Sequence, residues 1–159
     1  MKTYLFVIFL LASFLADAQV YKLYQTDNIH NQLRLNTSTG EIYQIQDDGQ
    51  RFLVSLSVIY GDDNPGKFQL FKTQNMWTYI LLDTHNGRLW QCQYSVEGAE
   101  NRFCLDINPY ELTDSEKSIF TIQPMTSMFQ YYLLNEENGE LWKFQWSVEG
   151  EDYRWIEKF

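Results

Sequence analysis

From Tyr21 onward the chain is written in short runs that alternate apolar with polar side chains. Tyr21-Lys22-Leu23-Tyr24, Phe68-Gln69-Leu70-Phe71 and Phe120-Thr121-Ile122-Gln123 match one another when Gly40, Gly87 and Gly139 are placed in register. A two-residue period sends successive side chains to opposite faces of an extended chain, so these runs predict strands. A second set ends in Asn or Asp: Leu33-Arg34-Leu35-Asn36, Ile80-Leu81-Leu82-Asp83 and Tyr132-Leu133-Leu134-Asn135. The turns that follow close on Gly40, Gly87 and Gly139, the last two as Asn-Gly. Asn-Gly is a strong hairpin signal and predicts a type I′ turn with positive φ at both central residues. A fourth strand is expected to begin at Arg51-Phe52, Arg102-Phe103 and Arg154-Trp155.

The third strand carries the clearest repetition. Leu89-Trp90-Gln91-Cys92-Gln93-Tyr94-Ser95-Val96-Glu97-Gly98 recurs as Leu141-Trp142-Lys143-Phe144-Gln145-Trp146-Ser147-Val148-Glu149-Gly150, with a fainter copy at Ile42-Tyr43-Gln44-Ile45-Gln46. Three copies at near-regular spacing mean three copies of one supersecondary unit. The reading is all-β: three four-stranded meanders over about 20–56, 67–106 and 119–159, in a single domain from 19 to 159. The breaker-rich stretches 57–67 and 107–118 read as linkers between repeats. A β-trefoil uses three such units and fits the length. A propeller also uses four-stranded meanders but needs more blades, so three would require closure by a second chain. The trefoil is the leading expectation and the propeller-like array the alternative.

The stretch from Tyr79 to Trp90 resembles the second hairpin of trefoil growth factors. Its Leu82-Asp83, Gly87 and Trp90 also resemble the Leu-Asp-x-x-x-Gly-x-x-Trp stretch of quinoprotein-type propeller blades. Over most of residues 19–159 the repeat is similar to a family of small exported bacterial β-repeat proteins of unassigned activity. The residues that carry this are Thr73, Asn75-Met76-Trp77, Leu82-Asp83, Asn86-Gly87 and Trp90-Gln91-x-Gln93-Tyr94. The first repeat keeps Thr26 and Asn28-Ile29 but has His30 and Gln32 where aromatics stand later, and the third shows Met125-Thr126-Ser127-Met128. The resemblance implies export and a repeat fold, and no reaction.

The N-terminus agrees with export. Lys2 precedes an apolar run from Tyr4 to Leu15, and Ala16-Asp17-Ala18 supplies an A-x-A site before Gln19. This is the order of a secretory signal peptide over 1–18. The run is shorter than the ~20 residues a membrane-spanning helix needs, so the mature chain is expected to be secreted or periplasmic, with no membrane insertion. The net charge of −9 repels phosphate backbones and disfavours nucleic acid as a partner.

Both cysteines lie in the middle repeat. A hairpin centred near Gly98 sets Cys92 opposite Cys104, within reach of a disulfide, and export permits the bond. By alignment, the counterparts of Cys92 are Ile45 and Phe144, and those of Cys104 are Leu53 and Ile156. All are apolar, so these are expected core positions whether or not the bond forms.

Little else points to chemistry. Trp90, Cys92, Tyr94 and Val96 share one strand face, with Tyr43 and Ile45 and with Trp142, Phe144, Trp146 and Val148 as counterparts. They read as core first and as a sugar-stacking platform second. Gln46, Gln93 and Gln145 recur on the opposite face, where they either order the hairpin or line a ligand groove. Asn28 and Asn75 either form Asx turns or contact a ligand. Glu97 and Glu149 belong to different repeats and are not expected to stand at glycosidase separation. His30 and His85 occupy unrelated positions and read as surface or packing residues. Asp62-Asp63-Asn64 lacks the alternate spacing of a calcium loop. No metal, cofactor or catalytic residue is expected. The chain reads as a non-enzymatic binding module, glycan-binding through Asn75, Trp77 and Gln93, with Asn28, Gln46 and Gln145 as weaker counterparts. The alternative is a protein-interaction or inhibitor scaffold that uses the linkers.

Overall fold

The computed structural model describes residues 19–55, 65–113, 115 and 118–159. The expected signal segment 1–18 and the Asp62-Asp63-Asn64 turn lie outside the described residues. The first repeat forms β1 (Tyr21–Gln25), β2 (Asn31–Asn36), β3 (Ile42–Gln46) and β4 (Arg51–Ser55). The second forms β5 (Phe68–Lys72), β6 (Thr78–Asp83), β7 (Leu89–Gln93) and β8 (Phe103–Asn108). The third forms β9 (Phe120–Pro124), β10 (Gln130–Asn135), β11 (Leu141–Gln145) and β12 (Trp155–Lys158). Each repeat is one antiparallel four-stranded sheet with its strands in chain order. The protein is all-β with three internal repeats, and among the described residues no helix is long and apolar enough to cross a membrane.

The hairpin turns differ from the type I′ expectation. No residue other than glycine has positive φ among the described residues; Gly40, Gly87 and Gly139 do, at 74°, 78° and 76°. The turn between β6 and β7 holds four residues between the paired Asp83 and Arg88. Gly87 N donates to Asp83 O (3.0 Å) and Asp83 N to Arg88 O (3.0 Å). Asn86 keeps negative φ because its side chain serves the turn instead, Oδ1 accepting from Arg88 N at 3.1 Å. The strand-end Asn or Asp caps the same loop: Asn36, Asp83 and Asn135 Oδ1 accept from the amide two residues on, at 3.0 Å in each case. The shared ending of the second strands thus fixes three equal turns.

The three sheets pack face to face through two separate cores. In the first, Leu33, Leu35, Ile42 and Val54 of sheet 1 meet Phe68, Leu70, Tyr79, Leu81 and Trp90 of sheet 2. In the second, Ile80, Leu82, Leu89 and Ile107 of sheet 2 meet Phe120, Ile122, Tyr131, Leu133 and Trp142 of sheet 3. These are the same positions used twice. Leu33, Leu35, Ile42 and Val54 correspond to Ile80, Leu82, Leu89 and Ile107, and the sheet 2 set corresponds to the sheet 3 set. Each sheet therefore has a front, turned to the following repeat, and a back, turned to the preceding one. The backbone repeats the contact too: Phe68 N donates to Thr37 O at 2.8 Å, and Phe120 N to Thr84 O at 2.7 Å.

Sheet 2 is covered on both sides. Every residue of β6 is buried, with Tyr79 and Leu81 in the first core and Ile80 and Leu82 in the second. Two further devices tie it in. Gln91 is buried and clasps one residue of sheet 3, donating to Ser147 O (2.8 Å) and accepting from Ser147 N (3.1 Å). Cys92 and Cys104 stand opposite each other in the ladder and are joined as a disulfide.

Three core expectations are corrected. The residue aligned with Cys104 in the first repeat is Arg51, which pairs with Ile45, and not Leu53. The hairpin after β3 is shorter than its counterparts, which displaces the fourth strand. Val96 and Val148 are exposed, because the chain leaves the ladder after Gln93 and Gln145 and the two-residue period no longer applies. Tyr43 and Ile45 are half-buried, since they lie on the back of sheet 1, where no preceding repeat covers them among the described residues.

Candidate functional site

At one end of sheets 2 and 3, where the third strand runs out, the two strong copies of the motif build equivalent clefts. The second repeat forms a cleft of ≈ 200 Å³ lined by Trp77, Gln93, Tyr94, Ser95, Val96, Glu97 and Asn101. The third forms one of ≈ 120 Å³ from Phe129, Gln145, Trp146, Ser147, Val148, Glu149 and Tyr153. These sets correspond position by position in the repeat alignment.

Both clefts are built the same way. A short turn aims the first aromatic ring. In the second repeat Asn75 Oδ1 accepts from Trp77 N at 2.9 Å; in the third Ser127 Oγ accepts from Phe129 N at 3.3 Å. The ring then leans on the next aromatic, with centroids 5.2 Å apart for Trp77–Tyr94 and 5.0 Å for Phe129–Trp146. Burial raises the Tyr94 phenol above its ordinary value, so it forms a neutral wall. The opposite wall is a 3₁₀ turn, Ala99–Asn101 or Glu151–Tyr153. Gln93 holds the first by donating to Asn101 O, and Gln145 holds the second by donating to Tyr153 O, each at 3.1 Å. A Ser-x-Glu segment closes the rim, Ser95 Oγ accepting from Glu97 N (3.0 Å) and Ser147 Oγ from Glu149 N (2.9 Å). The product is an aromatic floor with amide, hydroxyl and carboxylate groups at its edge.

The sequence-derived residues divide between cleft and frame. Trp77 and Gln93 line one cleft and Gln145 the other. Asn75 stands behind Trp77 as the turn former. Asn28 has the same geometry, accepting from His30 N at 3.0 Å. In the first repeat His30 stands at the position of Trp77, its Nδ1 2.8 Å from Asp47 Oδ2. Gln46 ends β3, its backbone amide bonded to Gln50 O at 3.0 Å across the shortened hairpin. Glu97 and Glu149 line different clefts. His85 sits in the loop between β6 and β7, with its amide bonded to Asp83. The Ser-x-Glu rim and the 3₁₀ wall were missed; the repeated Ser-Val-Glu-Gly was the signal that could have found them.

A larger groove of ≈ 510 Å³ runs between sheets 1 and 2, past Leu53, Arg88, Trp90, Arg102 and Asp106. Its cations are engaged with rings, Arg88 5.0 Å from the Trp90 centroid and Arg102 4.6 Å from that of Phe52. Arg102 also donates to Ser95 O at 3.1 Å. The groove borders Ser55, after which the next described residue is Pro65.

No protein-family model matches the chain, and no curated protein or solved structure is significantly similar to it.

Proposed function

We propose that the protein is a non-enzymatic, exported binding module that holds saccharides in the clefts of its second and third repeats. The observation that carries this reading is the duplication of one cleft chemistry. Each cleft pairs a half-buried aromatic face with a fixed polar edge, which suits the apolar face and hydroxyl rim of a sugar ring. The lining groups come from one repeat each and leave the neighbouring cores intact. Two weak equivalent sites on one body gain avidity when a single polymer or surface reaches both. We read each sheet as a propeller-type blade in preference to a trefoil unit. The strand ladders of each repeat close within its own four-stranded sheet, and each sheet lies face to face on the next; both features support that reading. Export rests on the pattern of residues 1–18.

The test is a thermal-shift and glycan-array screen with neutral and acidic oligosaccharides, followed by titration of the hits. The second repeat has the larger cleft and the larger ring, so it should bind more tightly. Glu97→Ala is the informative variant because its side chain is exposed. Affinity lost at unchanged melting temperature supports the site. A flat response across the sugars, or equal affinity in Glu97→Ala and Glu149→Ala and in the double variant, would sink it.

A further inference from the structure

The front-to-back contact between sheets is made twice within the chain, which leaves one front and one back without a partner of that kind among the described residues. They are the front of sheet 3 and the back of sheet 1. The geometry points to a second copy of this chain as their occupant, the front of sheet 3 in one copy seated on the back of sheet 1 in the other. The count of copies rests on the blade reading above. Closed rings of such sheets hold about 4–8 blades, and six is the multiple of three in that range, so two chains complete one ring through two equal contacts.

Three observations carry the assignment. Large apolar side chains stand open on both end faces, where a repeat array normally ends in a polar outer surface, and on the front of sheet 3 they stand beside Gln123, Lys143 and Glu157. On the back of sheet 1, Tyr21 and Leu23 are 55% and 59% exposed, and on the front of sheet 3 Phe159 is 71% exposed. Tyr21 and Leu23 correspond to Phe68 and Leu70, and to Phe120 and Ile122, which are all buried by a preceding sheet. Second, the residues that depart from the internal pattern do so toward the composition of a protein–protein interface. Arg34 stands where Leu81 and Leu133 stand inside, with its guanidinium 5.2 Å from the Tyr21 ring and 5.1 Å from that of Tyr43. Tyr132 replaces the Ile80 type and meets Phe159 edge-on at 5.9 Å. Aromatics and arginine are enriched at such interfaces relative to other surface. Third, the backbone link has a next member. Thr37 O and Thr84 O accept from the first residue of the following sheet; the corresponding groups at the ends are Glu136 O and Tyr21 N.

Light scattering behind size exclusion, on the full chain over about a hundredfold range of concentration, tests this. The expected result is a species of twice the chain mass that dissociates on dilution. Leu23→Glu alters only the back of sheet 1 and Phe159→Asp only the front of sheet 3. Both side chains are exposed, so each variant should keep the parent's circular dichroism and melting behaviour in dilute solution. Each is expected to weaken self-association about tenfold or more. Mixing the two variants should restore hetero-association, since one intact front and one intact back remain. A chain that stays monomeric throughout overturns the inference. So does a dimer that survives either variant, or a mixture no better than its components. Sugar binding by the Leu23→Glu monomer is read separately, because the clefts share no residue with the back of sheet 1; loss of one property leaves the other standing.

Discussion

Gly87 and Gly139 offer a measurement of the sheet stacking in which each serves as the other's control. Both close the loop between the second and third strands of their repeat, with φ of 78° and 76°. An alanine at either site meets the same backbone penalty, of about 1–2 kcal/mol, partly offset by the smaller entropy of its unfolded chain. The surroundings differ. A Cβ on Gly87 would lie 3.0 Å from Leu112 Cδ1 and 3.1 Å from Phe120 Cε1, whereas a Cβ on Gly139 meets nothing within 4 Å. Phe120 is fully buried at the start of sheet 3 and leans on Trp142, so it has little room to retreat. Overpacking of this kind costs about 1–3 kcal/mol. Gly139→Ala should therefore lose about 1 kcal/mol and Gly87→Ala about 2–4 kcal/mol. Urea unfolding in dilute solution, with m-values compared, gives both numbers. The difference between them is free of the φ contribution. Equal losses would refute the stacking of sheet 3 on the β6–β7 loop, whatever the size of each loss.

Other perturbations address other parts of the frame. Cys92→Ser with Cys104→Ser, or reduction, should cost about 3 kcal/mol by the loop-closure relation for this sequence separation, read from the denaturant midpoint; an unchanged midpoint would mean the bridge adds nothing to an already tight hairpin. Gln91→Ala leaves the amide and carbonyl of buried Ser147 without partners and should cost about 2–4 kcal/mol, with a smaller loss in Gln145→Ala, whose partners Gln130 and Tyr153 lie nearer solvent. Asp83 is buried, and burial outweighs the amides of His85 and Asn86 and the Lys67 ammonium, so its carboxyl is held above its ordinary value. The folded chain then binds this proton more tightly than the unfolded one, and Asp83's contribution to stability is greatest below the ordinary aspartate range and falls as pH rises through the raised value. Asp83→Asn, the residue found at positions 36 and 135, should remove that decline while keeping the turn; a variant that loses more stability at neutral pH than in acid would contradict it.

Much of the architecture was legible because the repeat was. The unbroken apolar run Tyr79-Ile80-Leu81-Leu82 beside the alternating Leu33-Arg34-Leu35-Asn36 carries the difference between a sheet covered on both faces and one covered on a single face. What stayed hidden lies between repeats or depends on loop length. The Gln91 clasp joins residues 56 apart in sequence, so no local pattern announces it. Leu53 was matched to Cys104 because the eye aligns Arg-Phe with Arg-Phe, while the shorter hairpin after Gln46 moves Arg51 into that place. The negative φ of Asn86 follows from its bond to Arg88 N, which dipeptide statistics do not contain. Of the cleft-lining residues, Gln93 was singled out by its repetition and Trp77 by the Asn75-Met76-Trp77 segment of the resemblance. Their companions Ser95 and Asn101 were given no role and Glu97 was weighed only as one of a catalytic pair, since nothing in a single strand shows that a turn folds back over a ring.

The two-sided burial of β6 has a consequence for how the protein comes apart. A strand whose odd residues fill one core and whose even residues fill another cannot be released from one neighbour without a cavity opening beside the other. Sheets 1 and 3 each have one such commitment, sheet 2 has two. Native-state hydrogen exchange should accordingly be graded in space: amides of β1 and β12 open by local fraying, while those of β6 and β7 open only with the whole array. The same asymmetry sets what each repeat tolerates. A polar side chain such as Arg34 or Gln123 is tolerated on an end sheet because it lies outside both internal cores, and the equivalent change at Leu81 or Phe71 would strand it between two layers. The divergence of the first repeat from the other two is thus located where the array is free to absorb it.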